Sequence, residues 1–250
     1  MAICMSQKFT SRRFAPMAAA MLAMAGALLA PVCVFAAEPL GDETFEGGFS
    51  CLAPSGPKDL GPIICQSVIN PSLSSFDFSL FWHGGEAAGT RILDRIDIRA
   101  KGEVSPFQSL SPVESNVPVT IANNGFEVID LNFDGFLDMR VIRFLPAGPN
   151  TPYQNWLWSP EEAKFIVNPA LDEITSPQFD ADAQEITSDW RSSASEHGSD
   201  IYTYDGDTPM LIHRETDTMG AGGTCARTFY DRIEDELRKT GDGPCENQAE

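Results

Sequence analysis

Apolar side chains at alternate positions dominate the middle of this chain. Phe76, Phe78, Leu80 and Trp82 share one face and Ile92, Ile96 and Ile98 another, with the turn residues His83-Gly84-Gly85 between them. Successive side chains of a strand leave opposite faces, so this period of two reads as half-buried antiparallel strands. Further short strands are predicted at 155–158, 164–167, 185–190, 200–204 and 210–214, separated by Pro, Gly and Asx turns. The predicted class is mainly β, with antiparallel sheets arranged as a sandwich or in a propeller-like way. Residues 107–119 form a Ser/Pro-rich connection. Only 226–239 reads as a helix: Phe229, Ile233 and Leu237 fall at four-residue spacing, Glu234 and Arg238 make an i,i+4 pair, and Gly241 suits a cap.

One segment inside the β region carries chemistry. Asp130-Leu131-Asn132-Phe133-Asp134-Gly135-Phe136-Leu137-Asp138 places oxygen-bearing side chains at every second position, then a glycine able to take positive φ, then a closing aspartate. Ca²⁺ takes six to eight oxygen ligands, and a loop coiled around an ion supplies them from alternate residues. Asp130, Asn132, Asp134 and Asp138 are the expected side-chain ligands, with the Phe136 carbonyl as a fifth. An EF-hand needs a bidentate Glu at its twelfth position, and here that position is Val141. The flanks, Phe126-Glu127-Val128-Ile129 and Met139 to Phe144, are β-formers and not helices. The expectation is a strand-loop-strand calcium loop; an Asx-rich hairpin turn without an ion is the bland alternative.

The first 36 residues read as a leader. Lys8, Arg12 and Arg13 precede an apolar run from Met17 to Val34, and Val34-Phe35-Ala36 offers small residues for cleavage near Ala36. The run is short for a spanning helix, and no second candidate follows. Ala30-Pro31-Val32 is a poor approach to a lipidated Cys33. A periplasmic or secreted protein is expected. The leader holds three of the 17 Lys/Arg and none of the 36 Asp/Glu, so the remainder carries 14 against 36, a formal −22. That field disfavours nucleic acid and anionic polymer, and favours divalent cations and basic protein partners.

Export makes disulfides plausible for Cys51, Cys65, Cys225 and Cys245, which allow three pairings. The local pairs, Cys51 with Cys65 and Cys225 with Cys245, are favoured because each staples a loop-rich end. The expected organisation is a leader (1–36), an irregular stapled arm (37–73), a β-domain holding the calcium loop (74–218) and a C-terminal helix and tail (219–250).

No catalytic residue is assigned. His83, His197 and His213 are the only histidines, none lies in HExxH, and no GxSxG occurs. Gly220-Ala221-Gly222-Gly223 lacks the Lys-Ser/Thr of a phosphate loop. Trp156 and Trp158 at alternate positions read as core, and Arg191 beside Trp190 reads as a stacked or salt-bridged cation.

Five elements in order, Asp130 to Asp138, Trp156-Leu157-Trp158, Glu162-Ala163-Lys164-Phe165, Pro177-Gln178-Phe179-Asp180 and Asp189-Trp190-Arg191-Ser192, resemble the pattern of exported bacterial β-proteins carrying one FG-GAP/VCBS-type calcium loop. The resemblance covers 126–216. Some members of that family are immunity proteins or inhibitors of lysozyme-like peptidoglycan hydrolases, in which a Ser-Gly-x-x-Tyr-like loop enters the enzyme cleft. The corresponding place here is 192–198, so the resemblance implies partner contacts from Ser193, Ser195 and His197. Ser193 stands where that family has glycine, and no tyrosine follows immediately. The expected function is an exported calcium-binding protein with a protein partner, of which a basic peptidoglycan hydrolase is the implied example. A non-inhibitory calcium module is the alternative, and a carbohydrate-active enzyme a third.

Overall fold

The computed structural model describes residues 49–52, 61–85 and 87–245. The expected leader (1–36) and parts of the arm lie outside the described residues. Sixteen strands and one short helix follow in chain order: β1 (Ser50–Leu52), β2 (Ile63–Ser67), β3 (Phe76–Gly84), β4 (Thr90–Ala100), β5 (Gln108–Leu110), β6 (Ser115–Pro118), β7 (Glu127–Ile129), β8 (Asp138–Ile142), β9 (Tyr153–Ser159), β10 (Lys164–Val167), α1 (Pro169–Asp172), β11 (Pro177–Asp180), β12 (Glu185–Arg191), β13 (Glu196–Asp205), β14 (Thr208–Met219), β15 (Cys225–Ile233) and β16 (Glu236–Pro244). The mainly β, antiparallel class expected from alternation is the class observed.

The strands form three sheets. The first runs β1-β2-β3-β4-β5, with β6 also on β4; the second runs β10-β9-β8-β7; the third runs β11 to β16 in chain order. The first two share one core. Phe76, Phe78, Leu80, Leu93, Ile96 and Ile98 meet Val128, Met139, Val141, Trp156, Trp158 and Phe165. Phe76 lies 5.4 Å from Trp158 and Phe78 5.9 Å from Phe165, ring centre to ring centre. Both tryptophans are therefore core, as their spacing predicts. Leu157, between them, points to the other face of β9 and joins Leu131, Leu171, Ile174 and Ile186 in a second cluster beneath the third sheet. The second sheet is thus covered on both faces, which is why three consecutive large residues of β9 are all buried.

Two expectations are corrected. The arm is not wholly irregular: its Ile63–Ser67 segment is β2, with alternate residues buried, and pairs with β3 from Ile63↔Leu80 to Ser67↔Phe76. The C-terminal helix is absent. Its place is taken by the β15–β16 hairpin, paired from Ile233↔Glu236 to Ala226↔Pro244, with Glu234 turning at φ 58°. A four-residue spacing is also a multiple of two, so Phe229 and Ile233 share a strand face as readily as a helix face. Thr228, Phe229 and Tyr230 are β-formers and settle the choice. The Glu234–Arg238 pair still meets, at 3.9 Å, across the turn instead of along a helix.

Both local disulfides form. Cys51 and Cys65 are cross-strand partners of β1 and β2, and Cys225 joins Cys245 at the open end of the last hairpin.

β14, β15 and β16 have no apolar core of their own; Asp217 is their one buried residue. Ion pairs stand in its place. Arg214 binds Asp200 through two bonds of 2.7 and 2.6 Å, and Arg227 binds Asp217 through two of 2.7 and 2.8 Å. Arg227 also reaches Glu215 at 2.8 Å, and His213 meets Asp231 at 2.7 Å. Such bidentate pairs fix geometry as well as charge.

Candidate functional sites

The 130–138 segment is a loop between β7 and β8, as expected. Gly135 takes φ 85° and Phe133 φ 63°, so the chain coils tightly at two positions. For Phe133 that conformation is costly, and its ring is held in return against Phe179 and Tyr204, at 6.4 and 5.9 Å. Asp130 Oδ2 accepts from the Gly135 amide at 2.9 Å, and Asp134 Oδ1 from the Phe136 amide at 2.8 Å. Asn132 Nδ2 donates to Asp134 at 3.1 Å. Asp138 is fully buried; its two oxygens accept from the Leu131 amide at 2.8 Å and the Trp158 amide at 2.7 Å. Burial pushes its carboxyl up to about 8 against the pull of those two amides, and Asp134 and Asp130 add to the rise.

The loop is tied to all three sheets. Its Leu137 amide donates to the Ile69 carbonyl at 2.7 Å, and Asn70 Nδ2 donates to the Gly135 carbonyl at 3.0 Å. On the far side Tyr204 Oη donates to the Leu131 carbonyl at 2.6 Å, and Asn132 Nδ2 reaches Asp207 Oδ1 at 3.4 Å. Asp207 sits in the turn between β13 and β14, and its carbonyl accepts from Asn168 Nδ2 at 2.9 Å. Sequence reading missed Asp207. The Asp205-Gly206-Asp207 turn lies far along the chain from the loop, and only the fold brings the two together.

Asp130 Oδ1 is buried and has no hydrogen-bond partner. A buried carboxylate oxygen without a partner is expensive, and a cation is the partner that removes the cost. Asp130, Asn132, Asp134, Asp138 and the Phe136 carbonyl are hard oxygen donors, a chemistry that suits Ca²⁺ and not a thiolate-seeking metal; among the described residues Asp130, Asp134 and Asp138 do not bring three carboxylate oxygens within 4.8 Å of one another. Among the described residues, one group of His, Cys, Asp or Glu ligand atoms lies within 4.8 Å of one another: Asp217, Cys225 and Cys245. Its two sulfurs are bonded to each other, so it is not a free metal site.

The second region is the β12–β13 turn. Ser193 and Ser195 are exposed, with hydroxyls 3.3 Å apart, and the Ser193 amide donates back to the Glu196 carbonyl at 3.2 Å. The Ser195 carbonyl accepts from the Met219 amide at 2.8 Å, which pins the turn to the end of β14. His197 stands apart from the two serines, in a cleft of about 410 Å³ lined by Asp189, Trp190, Ser199, Glu215, Asp217 and Arg227 among others. Alternation places His197 and Ser199 on the face of β13 opposite Tyr202 and Tyr204. Gly198 admits Trp190 against the strand: a Cβ there would fall 2.5 Å from Trp190 Cζ2 and 2.2 Å from the Glu215 carbonyl. The cation over the Trp190 ring is Arg214, at 5.4 Å, and not the adjacent Arg191 expected from sequence.

The three histidines do not assemble. His83 pairs with Asp94 at 2.8 Å on β3 and β4, His197 lies 3.6 Å from Asp217, and His213 pairs with Asp231. The hydrogen bond that His213 donates to Asp231 holds its imidazole above its ordinary value.

Fold and sites together define an antiparallel β protein with a two-sheet core, an ion-paired third sheet and an acidic loop where the sheets meet. Among solved structures, that of a Xanthomonas type IV secretion system related protein shares this fold, with a TM-score of 0.55 at 16% identity over 76% of this chain and 98% of that one. At that identity the likeness is one of fold. No family model matches the chain, and no curated protein matches its sequence.

Proposed function

We propose that this is an exported, calcium-clamped β-protein that binds a basic protein partner through the β12–β13 turn and the cleft beside it, and that the partner is a cell-wall hydrolase of the lysozyme type. The observation that carries the partner reading is the exposed Ser192–Ser195 corner, tied to the end of β14 through the Met219 amide. A chain of formal net charge −19 attracts a cationic surface and speeds encounter, in a way that salt weakens. Enzymes that work on anionic peptidoglycan carry such surfaces. Two disulfides, and the absence among the described residues of any helix long and apolar enough to cross a membrane, support export. The structural relative's description as secretion-system related agrees with a protein handled at the cell envelope.

Calcium has a structural role in this reading. Bound at Asp130, Asn132, Asp134, Asp138 and the Phe136 carbonyl, it neutralises the loop acids and pins β7 to β8. No catalytic step is assigned to the chain. A calcium module without enzyme inhibition is the second reading, favoured by Ser193 in place of the family's glycine. Purified protein at micromolar concentration with calcium, added to a lysozyme-type turbidity assay, separates the two. Slowed lysis that weakens with salt and with Ser193→Trp supports inhibition, and unchanged lysis by every basic muramidase tested rejects it.

A further inference from the structure

The loop makes contacts toward all three sheets, and its partners on the third sheet are residues outside the DxNxDGxxD pattern. Resting on the calcium reading above, we propose that Tyr204 and Asp207 are positioning residues of the ion site, so that ion binding and the seating of the β13–β14 hairpin are one linked equilibrium. Asn132 is the hinge of the argument. Its amide nitrogen is shared between Asp134 and Asp207, at 3.1 and 3.4 Å, which turns its carbonyl oxygen into the loop; that oxygen accepts one long bond, from the Asp134 amide at 3.4 Å, and its second lone pair is left for an ion. Tyr204 fixes the next turn of the coil by donating to the Leu131 carbonyl at 2.6 Å, between Asp130 and Asn132. Phe133, held at positive φ, drives its ring between Tyr204 and Phe179.

Neither Tyr204 nor Asp207 nor the Phe133 ring touches the ion in this account; they aim the groups that do. Removal of such supporting partners costs about tenfold to a hundredfold in metal affinity. Linkage makes the effect reciprocal: if a docked hairpin tightens ion binding, the ion tightens hairpin docking by the same factor. The hairpin is the same strand pair that carries the His197 cleft and anchors the Ser192–Ser195 turn at Met219. Ion occupancy would therefore reach the partner-binding corner through β13 and β14, without an ion ligand near it.

The test uses the mature full chain. Calcium affinity is measured by calorimetric titration, and backbone hydrogen exchange is followed with and without saturating Ca²⁺. In the wild type, calcium is expected to slow exchange in 198–214 as well as in 127–142. Tyr204→Phe keeps the ring packing and Asp207→Ala removes only a carboxylate. Each should weaken calcium by about tenfold or more and abolish the calcium-dependent protection of 198–214. Asp207→Asn, which still offers an oxygen to Asn132, should recover most of both. Wild-type affinity in Tyr204→Phe and Asp207→Ala, or protection confined to 127–142, would overturn the linkage while leaving the calcium site intact. A wild type that takes up no calcium at millimolar concentration would instead reject the calcium reading, and the linkage with it.

Discussion

Asp138 joins two jobs in one side chain. It closes the acidic loop, and it accepts the buried Leu131 and Trp158 amides that stitch the loop to β9. Asp138→Ala leaves both amides without a partner, at roughly 1–3 kcal/mol each. Urea denaturation in chelator should therefore show a loss of about 2–6 kcal/mol even before calcium enters. Gly198 is constrained by space, and not by φ. In Gly198→Ala the new methyl meets backbone and indole at once, and strain of this kind costs about 1–3 kcal/mol, measurable as a lowered denaturation midpoint with quenched packing of Trp190. The loop aspartates were legible in the sequence because alternate oxygens at fixed spacing are a local signal. Asp207 and Tyr204 were not, because nothing local marks a residue whose importance lies in what the fold brings near it.

The strands show the same division between local and distant causes. β3 and β12 follow from alternation, whereas β2 hides in a Gly/Pro-rich context and is recognisable as a strand chiefly by its pairing with β3. The apolar spacing of the C-terminal hairpin fits two periods; the ladder to β14, with Arg232 Nε donating to the Leu211 carbonyl at 2.8 Å, decides between them. That hairpin depends on its staple and its charges. Opening Cys225–Cys245, which spans 20 residues, removes a constraint of about 3 kcal/mol; hydrogen exchange should show the loss concentrated in β15 and β16. The β14–β15 pair has its own pH signature. His213 sits above its ordinary 6.5, so its contribution is full below that value and is lost as pH rises through the raised one. Asp231 is held below 3.8 by Thr240 and His213, so its contribution is present above 3.8 and lost as pH falls further. The pair is strongest between roughly pH 4 and 6.5. His213→Gln should flatten the fall in stability of the wild type between pH 6 and 8.

At the scale of the molecule, three sheets are held by three different means: an aromatic core between the first two, a small apolar cluster beneath the start of the third, and ion pairs beyond it. The acidic loop lies where the first two of these regimes meet, with Phe136 and Leu137 against the aromatic core and Leu131 and Phe133 at the small cluster, and a divalent ion there would reinforce that junction. The central claim is that calcium clamps this junction. An ion bound only by the folded state at a hundred times its Kd adds about 2.7 kcal/mol, which for a chain of this size is about 5–10 °C in Tm. The decisive measurement is calorimetric melting of the wild type and of Asp134→Ala, each in saturating calcium and in chelator. The account predicts a rise of that order in the wild type and none in Asp134→Ala; identical melting of the wild type in calcium and in chelator would contradict it.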